Sequence, residues 1–408
     1  MLDEQSGRQR CSAVVGLIVA AALILAGFGG CGSFNKPTPT PTKTPKIAPT
    51  DTPISPTSTM TPLPPTATPE PTQPPIALVT STPTATSTPA SIKVAPTFPP
   101  NVCPLTGLPV EDPAKLNRRP LNIKVSNAPA IVRPQSGLDK ADLVFEHMAE
   151  ARLTRFTAIF LSQDADKVGS VRSARLLDLE LPAMFKSLFA YSGASAGVLQ
   201  LLRNSDFADR IFTEGAPGFV RVPAPGKAYE HTLFTSTSPL WKLATERNLN
   251  QRQDLTGWVF SPQPPAGGQE ARELEVVYSP GLASAEYRYD AGQGTYLRSV
   301  LGEPHVDEVT GRQLSAKNVV VWYAHHVETD IVEDSTGTKP YYSIQIQVWG
   351  QGPAKIFRDG RVYDVTWVRA KREDMVRFFD AAGNLFPFKP GNTWFQMVPL
   401  DFQITVRP

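Results

Sequence analysis

The chain has 408 residues, 41 of them proline, with three cysteines and a formal charge of +2. Nineteen of the prolines fall between Ser33 and Pro100, a stretch that cannot build a packed core, which leaves residues 101–408 for about two domains. The charges before residue 101 account for the whole excess, so the part that folds is formally neutral. Nucleic-acid binders carry a basic footprint, because phosphate neutralisation dominates their affinity; nothing here suggests such a partner.

Arg8 and Arg10 precede an apolar run from Ala13 to Phe28, the order of a secretory signal. The run closes on Phe28-Gly29-Gly30-Cys31-Gly32-Ser33. Small residues just before a cysteine resemble the lipobox of bacterial lipoproteins, with Phe28 standing where leucine is usual. That resemblance implies a signal peptide over 1–31, a lipid on Cys31 and a membrane partner. An uncleaved anchor is the alternative, since the apolar run is at the short limit for a span. Either arrangement tethers the protein and places it outside the cytoplasm. Cys103 is then the one cysteine of the folded part, so neither an intrachain disulfide nor a cysteine zinc cluster is open to it.

Residues 32–100 read PTPTPTKTP, PTSTMTPLPPTATPEPT and STPTATSTP. Proline fixes φ and removes amide donors, so this composition predicts a disordered, solvated linker.

Past Cys103-Pro104-Leu105-Thr106-Gly107 the signals are those of a fold. Leu121, Ile123 and Val125 alternate with Asn122, Lys124 and Ser126, which predicts a strand. Leu143–Glu146 and Arg155–Leu161 read as two more strands, Arg175–Leu188 as a helix, and Val198–Arg203 as a second helix. The first domain, 101–262, is therefore expected to be α+β or α/β. Gly267-Gly268, after Pro262, Pro264 and Pro265, marks a boundary. The second domain, 268–408, reads as mainly β. Its strands are expected near 274–278, 285–289, 295–300, 319–323, 343–349, 354–357 and 394–399, with one helix at Ala370–Phe379. Asp359-Gly360 supplies a hairpin turn, because both residues tolerate positive φ. Trp322, Trp349, Trp367 and Trp394 are expected to fill this β core.

Several ordered segments together carry a resemblance. They are the Cys103–Gly107 segment, Arg119-Pro120-Leu121, Ala128-Pro129, Arg133-Pro134-Gln135-Ser136-Gly137-Leu138 and Ala141-Asp142-Leu143-Val144-Phe145-Glu146. Thr154-Arg155-Phe156, the run Val168–Arg175 and Gly391-Asn392-Thr393-Trp394 follow in order. The chain resembles the YerB-like bacterial lipoproteins, a two-domain family of unassigned function. The resemblance implies an exported, membrane-tethered protein and supplies no reaction. At Tyr229-Glu230-His231-Thr232-Leu233 the chain departs from the Pro-His-Asn-Leu pattern usual in the family.

Glu146, Arg152, Arg155, Arg172, Arg175 and Asp178 form the most suggestive polar group. Arginine's rigid fork suits carboxylates and phosphates, so Glu146, Arg155, Arg172, Arg175 and Asp178 are the candidate ligand-binding residues. The expected partner is an anionic or glycan polymer of the cell envelope, or an envelope protein. The competing reading is an internal arginine–carboxylate network. Gly193-Ala194-Ser195-Ala196-Gly197 matches the G-x-S-x-G of a nucleophile elbow. The alternative function is thus an envelope hydrolase using Ser195 with His231, oriented by Asp206 or Asp209, or else the carboxylate pair Glu146 and Asp178. His147, His231, His305, His325 and His326 give no diagnostic metal spacing, and neither a metal nor a cofactor is expected.

Overall fold

The computed structural model describes residues 97–334 and 339–408, all within one compact unit. The expected signal peptide, Cys31 and the linker up to Pro96 lie outside the described residues. Among those residues the chain is mainly strand, with few and short helices.

An 11-stranded sheet forms the spine. Its centre runs in the order Gly350–Arg358, Asn318–Tyr323, Thr393–Val398, Leu143–Met148, Thr154–Phe160, Leu121–Ser126, Leu188–Ala190. Thr393–Val398 pairs in parallel with both Leu143–Met148 and Asn318–Tyr323. The sheet is therefore continuous from the N-terminal half of the chain into the C-terminal half. The strands near 121, 143 and 155 form where period-two alternation predicts them. Both of their faces are buried, however, so the polar alternates Asn122, Lys124 and Ser126 do not face water.

Each face of this sheet carries its own core. On one, Ile123, Val144, Phe156 and Trp394 pack against Leu274, Val276, Tyr287 and Tyr296 of a six-stranded sheet. That second sheet is an antiparallel meander through Glu273–Ser279, Ala283–Asp290 and Thr295–Val300. On the other, Phe145, Phe395, Val320 and Trp322 meet Leu181, Phe185, Trp258 and Phe378. Trp322, Trp367 and Trp394 are core residues, and Trp349 is half-buried. Cys103 is buried and free, with its thiol pushed well up by burial and by the nearby Asp142.

Asp359 and Gly360 both take positive φ and close the hairpin between Gly350–Arg358 and Arg361–Arg369. Two expected helices differ from the structure. Arg175–Leu188 divides into a 3-10 turn, Leu176–Leu179, and a four-residue α-helix, Leu181–Met184. Pro182 suits a helix start rather than an interior, and Lys186 at φ +50 turns the chain back into the sheet. The helix expected at Ala370–Phe379 is absent. There Arg369 donates to the carbonyls of Arg372 and Asp374, holding a turn, and Arg377–Phe379 joins the sheet beside Thr366–Val368. The first half is accordingly less helical than an α+β or α/β reading supposes.

Candidate functional site

Pairing register decides which side chains can meet. Ser126 and His147 both lie opposite Arg155, and Lys124 lies opposite Thr157. Side chains opposite one another share a face, and so do those two apart on one strand. Lys124, Ser126, His147, Arg155 and Thr157 therefore occupy one face of the central sheet. Glu146, opposite Phe156, occupies the other.

Along the carboxyl-terminal half of Leu121–Ser126 the chain 170–174 lies against that strand. Ser126 N donates to Ser170 O, and Arg172 N donates to Lys124 O, each at 2.9 Å. On its far side, Ser192 N donates to Arg172 O and Ala174 N to Gly193 O. Arg172 is thus fixed by its backbone between two strand ends. The carboxyl ends of parallel strands are where open sheets commonly place a ligand.

A buried ion pair underlies this place. Lys124 Nζ lies 2.8 Å from Asp178 Oδ2, both side chains fully buried. Thr157 donates to Asp178 Oδ1, and Lys124 donates to Thr157 Oγ1 and His147 Nε2. Burial lowers the Lys124 ammonium to about 8 despite Asp178, and burial with Lys124 beside it holds His147 well below its usual value. Asp178 also accepts Arg175 N, which fixes the start of the 3-10 turn. This group is internally satisfied.

Two of the three arginines beside it are not, whereas Arg175 is answered by Glu150 and by the carbonyls of Ser173 and Ala174. Arg175 makes a two-pronged pair with Glu150, and its Nε lies 3.7 Å from Glu333 Oε2. Burial would push the Glu150 carboxyl up, but Arg175 and Arg155 hold it at about 2. Arg155 is buried, its nearest carboxylate oxygen is Glu150 Oε1 at 3.6 Å, and its Nε has no hydrogen-bond partner. Burial and the neighbouring Arg175 lower its guanidinium to about 9, so it remains charged at neutral pH. Among the described residues the Arg172 side chain reaches only Glu230 O, at 3.5 Å, and its buried Nε also lacks a partner. Three guanidiniums thus share two buried carboxylates, Glu150 and Glu333, with Glu230 half-exposed nearby. Two N–H groups are left without acceptors. A carboxylate or phosphate oxygen would satisfy them.

Arg155, Arg172, Arg175 and Asp178 are brought together as expected, while Arg152 is exposed at positive φ. Glu146 belongs elsewhere. On the opposite face its carboxylate accepts Arg298 Nη2 at 2.7 Å, Asn127 Nδ2 and Thr154 Oγ1, all of them buried. Arg298 also contacts His305 Nδ1, whose Nε2 bonds Gln135 Oε1 at 2.6 Å. Glu146 and Asp178 cannot act as an acid–base pair across a sheet.

The hydrolase arrangement is not assembled either. Ser195 caps the helix Ala196–Arg203 without a side-chain bond; its Oγ and His231 Nδ1 are both buried and unpartnered, and no bond joins them. Asp206 is held by Arg372 at 2.8 Å. His231 is kept below its usual value by burial and Arg172.

Sequence reading missed Lys124, His147, Glu150 and Glu333. Glu333 sits on a separate two-stranded hairpin, His325–Asp334 with Tyr341–Gln347, and nothing local announces its approach to Arg175. An open groove of about 710 Å³ lies on the outer face of the six-stranded sheet and includes none of these arginines. There Glu273 and Glu275 pair with Arg407, and Ser284 and Gly302 N satisfy Glu286, so its carboxylates are largely answered. The unmet charge is at the arginines.

Residues 105–250 match the family described as "Protein of unknown function (DUF3048) N-terminal domain", and residues 274–395 match its C-terminal domain. The chain belongs to the DUF3048 family. A relative, "Putative lipoprotein YerB" of Bacillus subtilis (strain 168), is 32% identical over 305 residues, covering 72% of this chain and 86% of that protein. The crystal structure of YerB from Bacillus subtilis aligns with a TM-score of 0.63 at 30% identity, over 75% of this chain and 99% of that one. The ordered segments quoted above fall largely within the two DUF3048 matches. Among the described residues, no helix is long and apolar enough to cross a membrane.

Proposed function

We propose that this DUF3048 protein is a lipid-anchored, extracytoplasmic binding protein that takes an anionic group of an envelope ligand between Arg155, Arg172, Arg175 and His231. One observation carries the reading: Arg155 and Arg172 each bury an Nε–H with no acceptor among the described residues. A buried guanidinium N–H without an acceptor is costly. The internal tie Arg298 also leaves its Nε unpartnered but holds Glu146 at 2.7 Å. Arg155, by contrast, has no carboxylate oxygen nearer than 3.6 Å, and Arg172 has no ion pair, among the described residues. Glu150 and Asp178 orient Arg175, leaving Arg155 and Arg172 to meet the ligand. The leader ending at Cys31 and the lipoprotein name of the relative support the anchor and the location.

The experiment is direct binding of polyglutamate and polyphosphate to the full-length protein. Arg172→Ala and Arg155→Ala are each expected to weaken binding roughly tenfold or more, the scale of a lost charge-assisted contact, with Arg172→Ala keeping the wild-type unfolding midpoint. Failure of the wild type to bind either polyanion, or equal binding by Arg172→Ala, would overturn the reading. Mass spectrometry of the mature N-terminus, with Cys31→Ser as control, tests the anchor. A diacylglyceryl cysteine is the expected finding, and an intact leader the refuting one.

A further inference from the structure

We infer that the ligand of the arginine site is an anionic glycan, with one sugar ring resting on Tyr229 while its acidic substituent reaches Arg172. This rests on the anion-binding reading above and adds the chemistry of the rest of the ligand.

Tyr229 is the most exposed large hydrophobic side chain among the described residues, at 69%. A side chain so open is ordinarily free to move, but this one is braced. The Arg221 guanidinium lies over its ring, 3.4 Å from the centroid. Arg221 is in turn fixed by a two-pronged pair with Glu214 and by donation to Tyr229 O at 2.6 Å. Thr232 Oγ1 donates to the same carbonyl at 2.8 Å. One face of the ring is covered by the guanidinium, and the large exposure leaves the other to solvent. Stacking on arginine fixes the platform before any ligand arrives, which removes part of the ordering cost of binding.

The two residues that follow the ring in sequence belong to the site of the unmet charges. Glu230, the next residue, gives its carbonyl to Arg172 Nη1, and His231, the one after, is the buried histidine whose Nδ1 lacks a partner. A pyranose ring presents a face of C–H groups, slightly positive, that suits the negative face of an aromatic ring. An acidic sugar also carries the carboxylate or phosphate that Arg155 and Arg172 lack. An acidic polypeptide would satisfy the guanidiniums and leave the braced tyrosine unused; a neutral glycan would use the tyrosine and leave the guanidiniums unanswered. A glycan bearing charge uses both.

The test compares three probes on the full-length protein by isothermal titration. They are oligogalacturonate (ring and carboxylate), polyglutamate of matched charge (carboxylate without a sugar ring) and dextran (ring without charge). The wild type is expected to bind oligogalacturonate roughly tenfold more tightly than polyglutamate, on the scale of one added stacking contact, and to bind dextran not at all. Tyr229→Ala should erase that preference while leaving polyglutamate affinity unchanged, and Tyr229→Trp should restore it. Arg172→Ala should weaken both anionic probes. Equal affinity for the two anionic probes, or a Tyr229→Ala variant that keeps the preference, would overturn the glycan assignment while the anion site stands. Dextran binding that survives Arg172→Ala would also reject it. Wild-type protein that binds no anionic probe would reject the anion site itself.

Discussion

Glu146 and Asp178 lie on opposite faces of the main sheet. Glu146 pairs in register with Phe156, and Asp178 accepts the hydroxyl of Thr157. Alternation of strand side chains separates them by the thickness of the sheet. One carboxylate ties the two sheets together; the other anchors the floor of the arginine site.

Glu146→Gln should therefore be a stability variant and not a binding variant. It leaves the buried Arg298 charge without its carboxylate, for which a loss of about 3–5 kcal/mol is expected. Urea unfolding measures this, alongside polyglutamate titration of the fraction that remains folded. Intact stability with lost binding would refute the assignment of Glu146 to the other face.

Acid should act first through the histidines. His326 is lowered from 6.5 to about 4, by burial, and burial also holds His147 and His305 well below the usual value. Between about pH 6.5 and 4 the unfolded chain binds protons that the folded one refuses, so stability rises with pH in this window and falls on acidification. Unfolding midpoints measured across it should show a shallower slope in His326→Gln than in wild type. Identical slopes would mean that His326 charges freely in the fold.

Glu150 acts in a lower window. Its folded value of about 2 lies below the ordinary 4.5, because Arg175 and Arg155 outweigh burial. The stabilisation is present in full above about pH 4.5 and is lost as pH falls through 2, on the order of 3 kcal/mol at most. Glu150→Gln should unfold more easily at pH 6 and converge with wild type near pH 2. A constant gap between the two over that range would rule the mechanism out.

Gly391 is fixed by space as well as by conformation. It takes φ +136, and a Cβ there would stand 2.2 Å from Lys317 Cγ. Next to it, the Asn392 side chain accepts Lys317 N and donates to Ser315 O. Gly391→Ala should cost about 1–3 kcal/mol in chemical denaturation, the usual scale for strained backbone. A neutral effect would mean that the 315–317 segment can yield.

Much of the strand content was legible because it is local. Leu121, Ile123 and Val125 show their period directly, and Asp359-Gly360 announces its own hairpin. The broken helix after Arg175 carried a warning in Pro182, but the return of the chain at Lys186 depends on the strand waiting for Leu188. The arginines could be grouped from their spacing, whereas the face each side chain takes depends on register, so Glu146 was placed with the wrong neighbours. Lys124 sits in an alternation that ordinarily marks a solvated face, and only a second layer over the strand makes it buried. Glu333 reaches Arg175 from a distant hairpin, a contact with no local signature.

The position of Thr393–Val398 has a consequence for how the molecule is made. This late strand lies between Leu143–Met148 and Asn318–Tyr323, filling the middle of the main sheet. A chain halted at residue 390 would lack the rung that joins its early strands to its later ones. Such long-range closure is slow, and it leaves unpaired edges open to misassociation in the meantime. The main sheet cannot close until residues 393–398 have been made, so a stop codon at 390 should be as damaging as one placed before the strands that this segment joins.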